Sequence, residues 1–359
     1  MKRILFLVNG LGLGNSTRCH AVISWLEADQ YIVDVGTSGN GLAYFSSVMK
    51  TGQVFPLRPL TYGQKKGRIS FLKTIALLPL LLLNLLRNQI SVHRALRLNT
   101  YDLVVIDSEY SVFLPRWLMR CPLVAINNSD IIVRQFRGEG VPGNLWFQFL
   151  VERMDFLFHR AVPDYVLSPS LSGEPDNAKF KHLPPFVRRE LSPKPADHPP
   201  RKVLVMMSGS NFRPQFDFLR EFTQFKNLEF DVLGVEGEPY GNLKFHGKIY
   251  QNVEFLNAAD LVVINAGFSA VSEAVCLRKP CLVIPLPNHA EQFVNAQTVE
   301  AKGLGIAANE EEVPEKFRQL LKDYPQIRRA QESWGAGIAG ACSAATHGRT
   351  GGASGRLLV

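Results

Sequence analysis

Short apolar runs alternating with helix-length stretches recur twice along this chain, on either side of a proline-rich segment. In the first half, residues 4–8, 32–36, 103–106 and 123–126 read as buried strands, with helices at 16–27 and 42–49. The rhythm restarts with strands at 203–207, 230–233, 261–264 and 282–284 and helices at 215–225, 269–278 and 291–302. Strands that are apolar throughout must be covered on both faces, and helices returning between them give a parallel sheet. The fold class expected is α/β: two doubly wound, Rossmann-like domains facing across a cleft. Their bounds are 1–175 and 202–333, joined by a linker at 176–201 where proline and charge concentrate. Residues 334–359, rich in Gly, Ala and Ser with neither period, are expected to be a flexible tail without structure. Ligands of such domain pairs bind between the carboxyl edges of the two sheets.

A length of 359 residues suits two domains, and 46% hydrophobic against 20% charged residues supplies two cores and excludes a disordered chain. Cys19, Cys121, Cys276, Cys281 and Cys342 show no CxxC pair. That pattern suits free thiols in a reducing cytoplasm better than disulfides or a zinc site. No metal site is expected. The apolar run in MKRILFLVNG is short and leads straight into a glycine loop, so it reads as the first strand rather than a signal peptide.

Charge is distributed unevenly. Residues 1–165 hold 18 Lys/Arg against 11 Asp/Glu, a net of +7, whereas the remainder of the +8 total is +1. Residues 35–101 contain no acidic side chain, while Lys50, Arg58, Lys65, Lys66, Arg68, Lys73, Arg87, Arg94 and Arg97 fall there. Such a field implies an anionic partner. Within it, residues 71–98 read as a helix interrupted at Pro79, and 75–86 are apolar apart from Asn84. Twelve residues are too few to span a bilayer, which needs about 20. A greasy helix with basic flanks suits an anionic membrane surface; a buried helix of the first domain is the plainer alternative. Without interleaved aromatics, nucleic acid is not an expected partner.

Four loops carry candidate chemistry. Gly10, Gly12 and Gly14 follow the first strand and open a helix, where backbone N–H groups can meet an anion. The spacing is GxGxG and no acidic residue ends the second strand, so a dinucleotide site is disfavoured. Ser208, Gly209 and Ser210 form a hydroxyl-rich turn at the corresponding edge of the second half, suited to phosphate oxygens or to a plain turn. The third loop is the sharpest. Asn265, Ala266, Gly267, Phe268 and Ser269 form a small-residue turn that exposes a helix N-terminus. Glu273, one turn on from Ser269, lies about 6 Å along the helix. That separation matches a diphosphate and the diol of its ribose. A fourth loop, from Pro285 through His289, leads to Glu291 and Gln292, which can grip sugar hydroxyls. An ordinary strand–turn–helix pair with solvated polar ends has the same spacing.

These residues resemble the donor-binding region of GT-B glycosyltransferases, in particular the group containing the bacterial peptidoglycan N-acetylglucosaminyltransferase and the UDP-glycosyltransferases. The matched positions are Gly267, Ser269, Glu273, Lys279-Pro280, Pro285, Glu291-Gln292 and Asn295-Ala296. The resemblance implies an acceptor-binding first domain and a nucleotide-sugar-binding second domain. It places the diphosphate on Gly267, Phe268 and Ser269, the ribose on Glu273, and the transferred sugar on Glu291 and Gln292. It further implies a UDP- or dTDP-sugar donor, a lipid-linked or glycan acceptor, inverting transfer without metal or cofactor, and a cytoplasmic chain peripheral to the membrane.

One departure matters. Relatives often carry GxGH at the first loop, with the histidine in or near the acceptor site; this sequence has Asn15, which accepts no proton at neutral pH. Substitutes are Asp107 and Glu109, at the end of a first-half strand, and His20, farther along the helix. A non-catalytic nucleotide-sugar or glycan-binding protein and a sugar-nucleotide epimerase are the competing readings.

Overall fold

The computed structural model describes residues 2–60, 63–65, 68–114, 116, 119–193, 198–207 and 217–347. The first half runs β1 (Arg3–Val8), α1 (Gly14–Ala28), β2 (Ile32–Thr37), α2 (Gly39–Val48), β3 (Val54–Pro56) and a short hairpin, β4 (Gln64–Lys65) and β5 (Arg68–Ile69). It continues through α3 (Phe71–Leu98), β6 (Leu103–Asp107), β7 (Leu123–Ile126), α4 (Ser129–Glu139), α5 (Trp146–Ala161), β8 (Tyr165–Pro169) and β9 (Phe180–Leu183). Its sheet has the order β3-β2-β1-β6-β7-β8-β9, with every neighbour parallel. Alternation along the strands separates two apolar layers. Leu5, Leu7, Val104 and Ile106 pack on one face, and Ile4, Phe6, Val8 and Val105 on the other.

The second half comprises β10 (Lys202–Met206), a 3-10 segment (Asp217–Gln224), β11 (Glu229–Leu233), β12 (Leu243–Phe245), α6 (Val253–Ala258), β13 (Leu261–Asn265) and α7 (Phe268–Cys276). It ends with β14 (Cys281–Ile284), α8 (Ala290–Ala301), β15 (Ile306–Ala307) and α9 (Val313–His347). The sheet order is β12-β11-β10-β13-β14-β15, again parallel throughout. Two such sheets with helices between strands are the architecture the periodicity requires.

The halves meet through an apolar contact. Ile132, Val133, Phe136, Leu145 and Phe149 of the first half bury against Ala290, Val294 and Phe293 on α8. The Phe136 and Phe293 rings stack at 6.2 Å.

Four expectations are corrected. Pro79 does not interrupt α3, which runs unbroken through it; Pro79 is exposed, so water can serve the carbonyl that its missing N–H leaves free. The segment expected as linker contains β9, which closes the edge of the first sheet beside β8. Helix 215–225 is instead the 3-10 segment, with residues 215 and 216 outside those described. The supposed tail is helical as far as His347. Its alanines are the best helix formers, and Trp334 Nε1 ties it back to the Leu171 carbonyl at 2.9 Å. Residues 348–359 lie outside the described range.

Candidate active site

Strand order reverses beside β1 in the first sheet and beside β10 in the second. The turns after β1, β6 and β13 therefore open on one crevice at the carboxyl edges. That crevice is a cleft of about 1190 Å³ lined from both halves. Ser208, Gly209 and Ser210, in the turn after β10, lie outside the described residues.

On the first-half side the glycine loop packs against the start of α2. A Cβ on Gly10 would stand 1.7 Å from the Ser38 carbonyl oxygen, so only glycine fits. Gly12 and Gly267 differ, because nothing lies within 4 Å of a Cβ placed there. Both line the cleft, and their backbone is open to a ligand. Gly14 and Asn15 line it too.

On the second-half side, Gly267 caps α7 without any side-chain bond to the first turn. The N–H groups of that turn are thus unspent and carry the positive end of the helix dipole. Ser269 Oγ donates to the Gly14 carbonyl at 2.7 Å, a direct bond between the two glycine loops. The second-half loops that line the cleft are stitched to each other from behind. Asn295 Nδ2 donates to the Ala266 carbonyl at 2.9 Å, Asn265 Nδ2 to the Ile284 carbonyl at 3.0 Å, and Gln292 Oε1 accepts from the Leu286 N–H at 2.9 Å. Lys279, from the matched Lys-Pro pair, is buried and donates to the Ala259 carbonyl. These positions hold the loops in shape. Phe268, Glu291, Gln292 and His289 line the cleft, whereas Ala266 is fully buried beneath it. Burial lowers the pKa of His289 against the opposing charge of Glu291, so this imidazole is neutral at pH 7.

Glu273 lines the cleft but is not free. Arg188 Nε and Nη2 donate to its two oxygens at 2.7 and 2.9 Å, and Nη2 also reaches Asn252 Oδ1 at 2.7 Å. Both side chains are buried. Arg188 also engages Tyr44, whose hydroxyl stands 2.9 Å from His20 Nδ1. The chain His20–Tyr44–Arg188–Glu273 thus runs from α1 through α2 to α7. A carboxylate with two of its lone pairs taken keeps others for a diol, and the fork fixes its orientation.

The structure separates the other candidates from the cleft surface. Asp107 is fully buried at the end of β6, where Arg18 Nε and Nη2 donate to it at 2.9 and 2.6 Å and Cys19 Sγ at 3.3 Å. It is the partner of a buried arginine rather than an open base. Glu109 is buried and accepts from the N–H and hydroxyl of Ser111; burial, against those bonds, raises its pKa. His20 is also buried, and its pKa is lowered by that burial. None of Asp107, Glu109 and His20 lines the cleft.

Sequence reading missed Arg188, Asp155 and Glu152. Asp155 on α5 accepts from Tyr110 Oη and Asn127 Nδ2, both at 2.7 Å, and pairs with His159 Nδ1 at 3.1 Å. Burial would raise the pKa of Asp155, but His159 and the two donors bring it below the usual range. Ser108, after Asp107, holds φ of 48° at the cleft edge, a left-handed conformation that non-glycine residues rarely adopt.

A family model described as Glycosyl transferase family 1 matches residues 2–325, nearly the whole described fold. The chain belongs to this glycosyltransferase family. Among relatives, an uncharacterized glycosyltransferase of Methanosarcina acetivorans is 25% identical over 358 residues, covering 89% of each chain. A UDP-N-acetylglucosamine–N-acetylmuramyl-(pentapeptide) pyrophosphoryl-undecaprenol N-acetylglucosamine transferase of Geobacillus thermodenitrificans is 30% identical over 153 residues, covering 38% of this chain and 43% of its own. Two solved structures share the fold: the glycotransferase of kitacinnamycin (TM-score 0.66, 16% identity, 94% and 95% of the two chains), and MurG of Acinetobacter baumannii (TM-score 0.59, 16% identity, same coverage). The two-sheet GT-B architecture and the activity as a glycosyltransferase follow from family and fold together. This family member departs from the GxGH pattern at Asn15.

Proposed function

We propose that the chain transfers a sugar from a UDP- or dTDP-sugar, held by the second half, to a lipid-linked or glycan acceptor held by the first. The observation that carries the donor half is the uncapped α7 N-terminus on the cleft, with Glu273, Glu291 and Gln292 opening on the same space. The leaving diphosphate lies against unspent N–H groups and the helix dipole, which stabilise the developing charge. Metal independence rests on that arrangement. Direct attack by an acceptor from the opposite side inverts C1. The transferase relative from Geobacillus is named for a UDP-sugar donor and an undecaprenol-linked acceptor, which supports the same pairing here.

The acceptor side favours an apolar carrier. Leu81, Leu82, Leu85, Phe113, Val151 and Met154 line the first-half wall of the cleft. That wall runs outward onto exposed Ile75, Leu78, Leu83 and Leu86 of α3 and Trp146 and Leu157 of α5. Helix α3 is long and apolar enough to cross a membrane by length and composition, which corrects the shorter estimate from its twelve-residue core. Its polar face is nevertheless spent on the first half. Asn84 Nδ2 donates to the Pro59 carbonyl, and Asn88 exchanges bonds with the Arg58 backbone, at 3.1, 2.7 and 2.9 Å. A helix tethered along one face lies on a surface rather than through it, with Lys73, Arg87, Arg94 and Arg97 available to anionic headgroups. Of the expected basic flank, Lys66 lies outside the described residues.

Flotation with vesicles of phosphatidylglycerol and phosphatidylcholine tests the acceptor side. The chain is expected to float at low salt and to be released as salt screens the contact, and a Leu78→Glu, Leu86→Glu double variant to stay in the pellet fraction. Failure of the wild type to float at low salt would refute the membrane part of this reading.

A further inference from the structure

With Asp107 bound to Arg18 and Asn15 unable to take a proton, the transfer lacks a base among the residues expected to supply one. Glu152 fills that gap. It sits on α5 and lines the cleft from the first half. The other carboxyl of the cleft wall on that side is engaged: Asp155 holds Tyr110, Asn127 and His159. Among the described residues no donor engages the Glu152 carboxyl. Facing it from the second half is Glu291, in the first turn of α8, beside the loop that carries the donor-binding positions.

We propose that Glu152 is the general base of the transfer, taking the proton of the acceptor hydroxyl while that oxygen attacks the donor sugar. The acceptor oxygen bonds to C1 as the C1–O bond to the diphosphate breaks, and the electron pair leaves with the nucleoside diphosphate. The proton rests on the Glu152 carboxylate and passes to water when the product departs. This assignment rests on the nucleotide-sugar reading above. Its geometry meets the demand of a single displacement, because the base stands on the first half and the leaving group lies against α7 of the second.

The surroundings of Glu152 give the base a signature. Burial, then the charges of Asp155 one turn along α5 and Glu291 across the cleft, push its pKa well above the usual carboxylate range. Arg18 and His289 both feel the charge of Glu291. A base whose pKa lies nearer neutrality is better matched to its task, and turnover then falls as pH drops through the raised value.

The test is release of UDP or dTDP from a panel of their sugars, with a short-chain polyprenyl-diphosphate saccharide as acceptor, followed between about pH 5 and 9. Glu152→Gln is expected to lose about 10²–10⁴-fold in kcat, to bind UDP like the wild type, and to lose the acidic limb of the profile. Glu152→Asp, which keeps the carboxylate, is expected to recover part of the rate with the limb intact. A Glu152→Gln variant with unchanged kcat, or one that keeps the acidic limb, would overturn the assignment while leaving the donor reading standing. A wild-type chain that turns over no member of the panel would overturn the donor reading itself, and the assignment with it.

Discussion

An Arg188→Ala variant is expected to unfold at lower urea concentration, with a loss of about 3–5 kcal/mol, and to bind UDP more weakly. Arg188 and Glu273 are 3% and 4% exposed, and both carboxylate oxygens accept from the one guanidinium. Removing the cation leaves the carboxylate buried without its partner, and the stability difference measures that penalty rather than the net worth of the pair. An unpaired buried carboxyl favours its neutral form, which is a poorer acceptor for ribose hydroxyls. The binding loss therefore has the same origin as the stability loss. Arg188→Lys is expected to recover little, since an ammonium cannot reproduce the fork that also reaches Asn252. Unchanged stability in Arg188→Ala would show that the pair is not formed in solution.

Asp107→Ala is the second large effect, and it separates two roles for one carboxylate. Arg18 is buried against Asp107 with two short bonds, and its charged form is stabilised despite burial because Asp107 faces it. Removing Asp107 strands that cation, at a cost of about 3–5 kcal/mol. Denaturant unfolding together with UDP release decides the matter. The ion-pair role predicts a strongly destabilised protein. An equally stable protein with abolished turnover would instead return Asp107 to catalysis.

Both variants touch residues whose partners are far apart in sequence, and that is where sequence reading reached its limit. Strand periodicity fixes β1, β2, β6, β7 and β13 because each is a short, mostly apolar run, with Asp34 the one charged side chain inside β2 and the other polar residues at strand ends. The turn that the proposal gives to the donor was easy to pick out for a similar reason: Gly267, Ser269 and Glu273 lie close together on one turn and helix. Arg188 was hidden inside a proline-rich stretch, and its partner is 85 positions away. Asp107 looked like a cleft residue because it ends a strand, but nothing in its neighbourhood reveals that Arg18 reaches it across 89 positions. Glu152 lies between residues 126 and 176, where no helix was read from the sequence, and only the packing of α5 beside α8 gives it a place in the cleft. Asn295 and Gln292 fall on the matched pattern, yet their amides bind the backbone at Ala266 and Leu286. Composition misled at the C-terminal end, where Gly and Ala suggested a loose tail and α9 continues instead.

The central claim is that the second half binds a nucleoside diphosphate through the α7 turn with its ribose on Glu273. Calorimetric titration of UDP into the wild type and into Glu273→Gln tests it most directly. The Gln variant keeps the side-chain shape and one of the two oxygens that accept from Arg188. It leaves a buried cation short of its counter-charge, so denaturant unfolding run beside the titration confirms that the variant is folded when UDP is added. Saturable binding by the wild type, weakened in the variant by about 1.5–3 kcal/mol as hydrogen bonds to a charged group are removed, is the predicted result. Equal affinity in the two proteins would contradict the account.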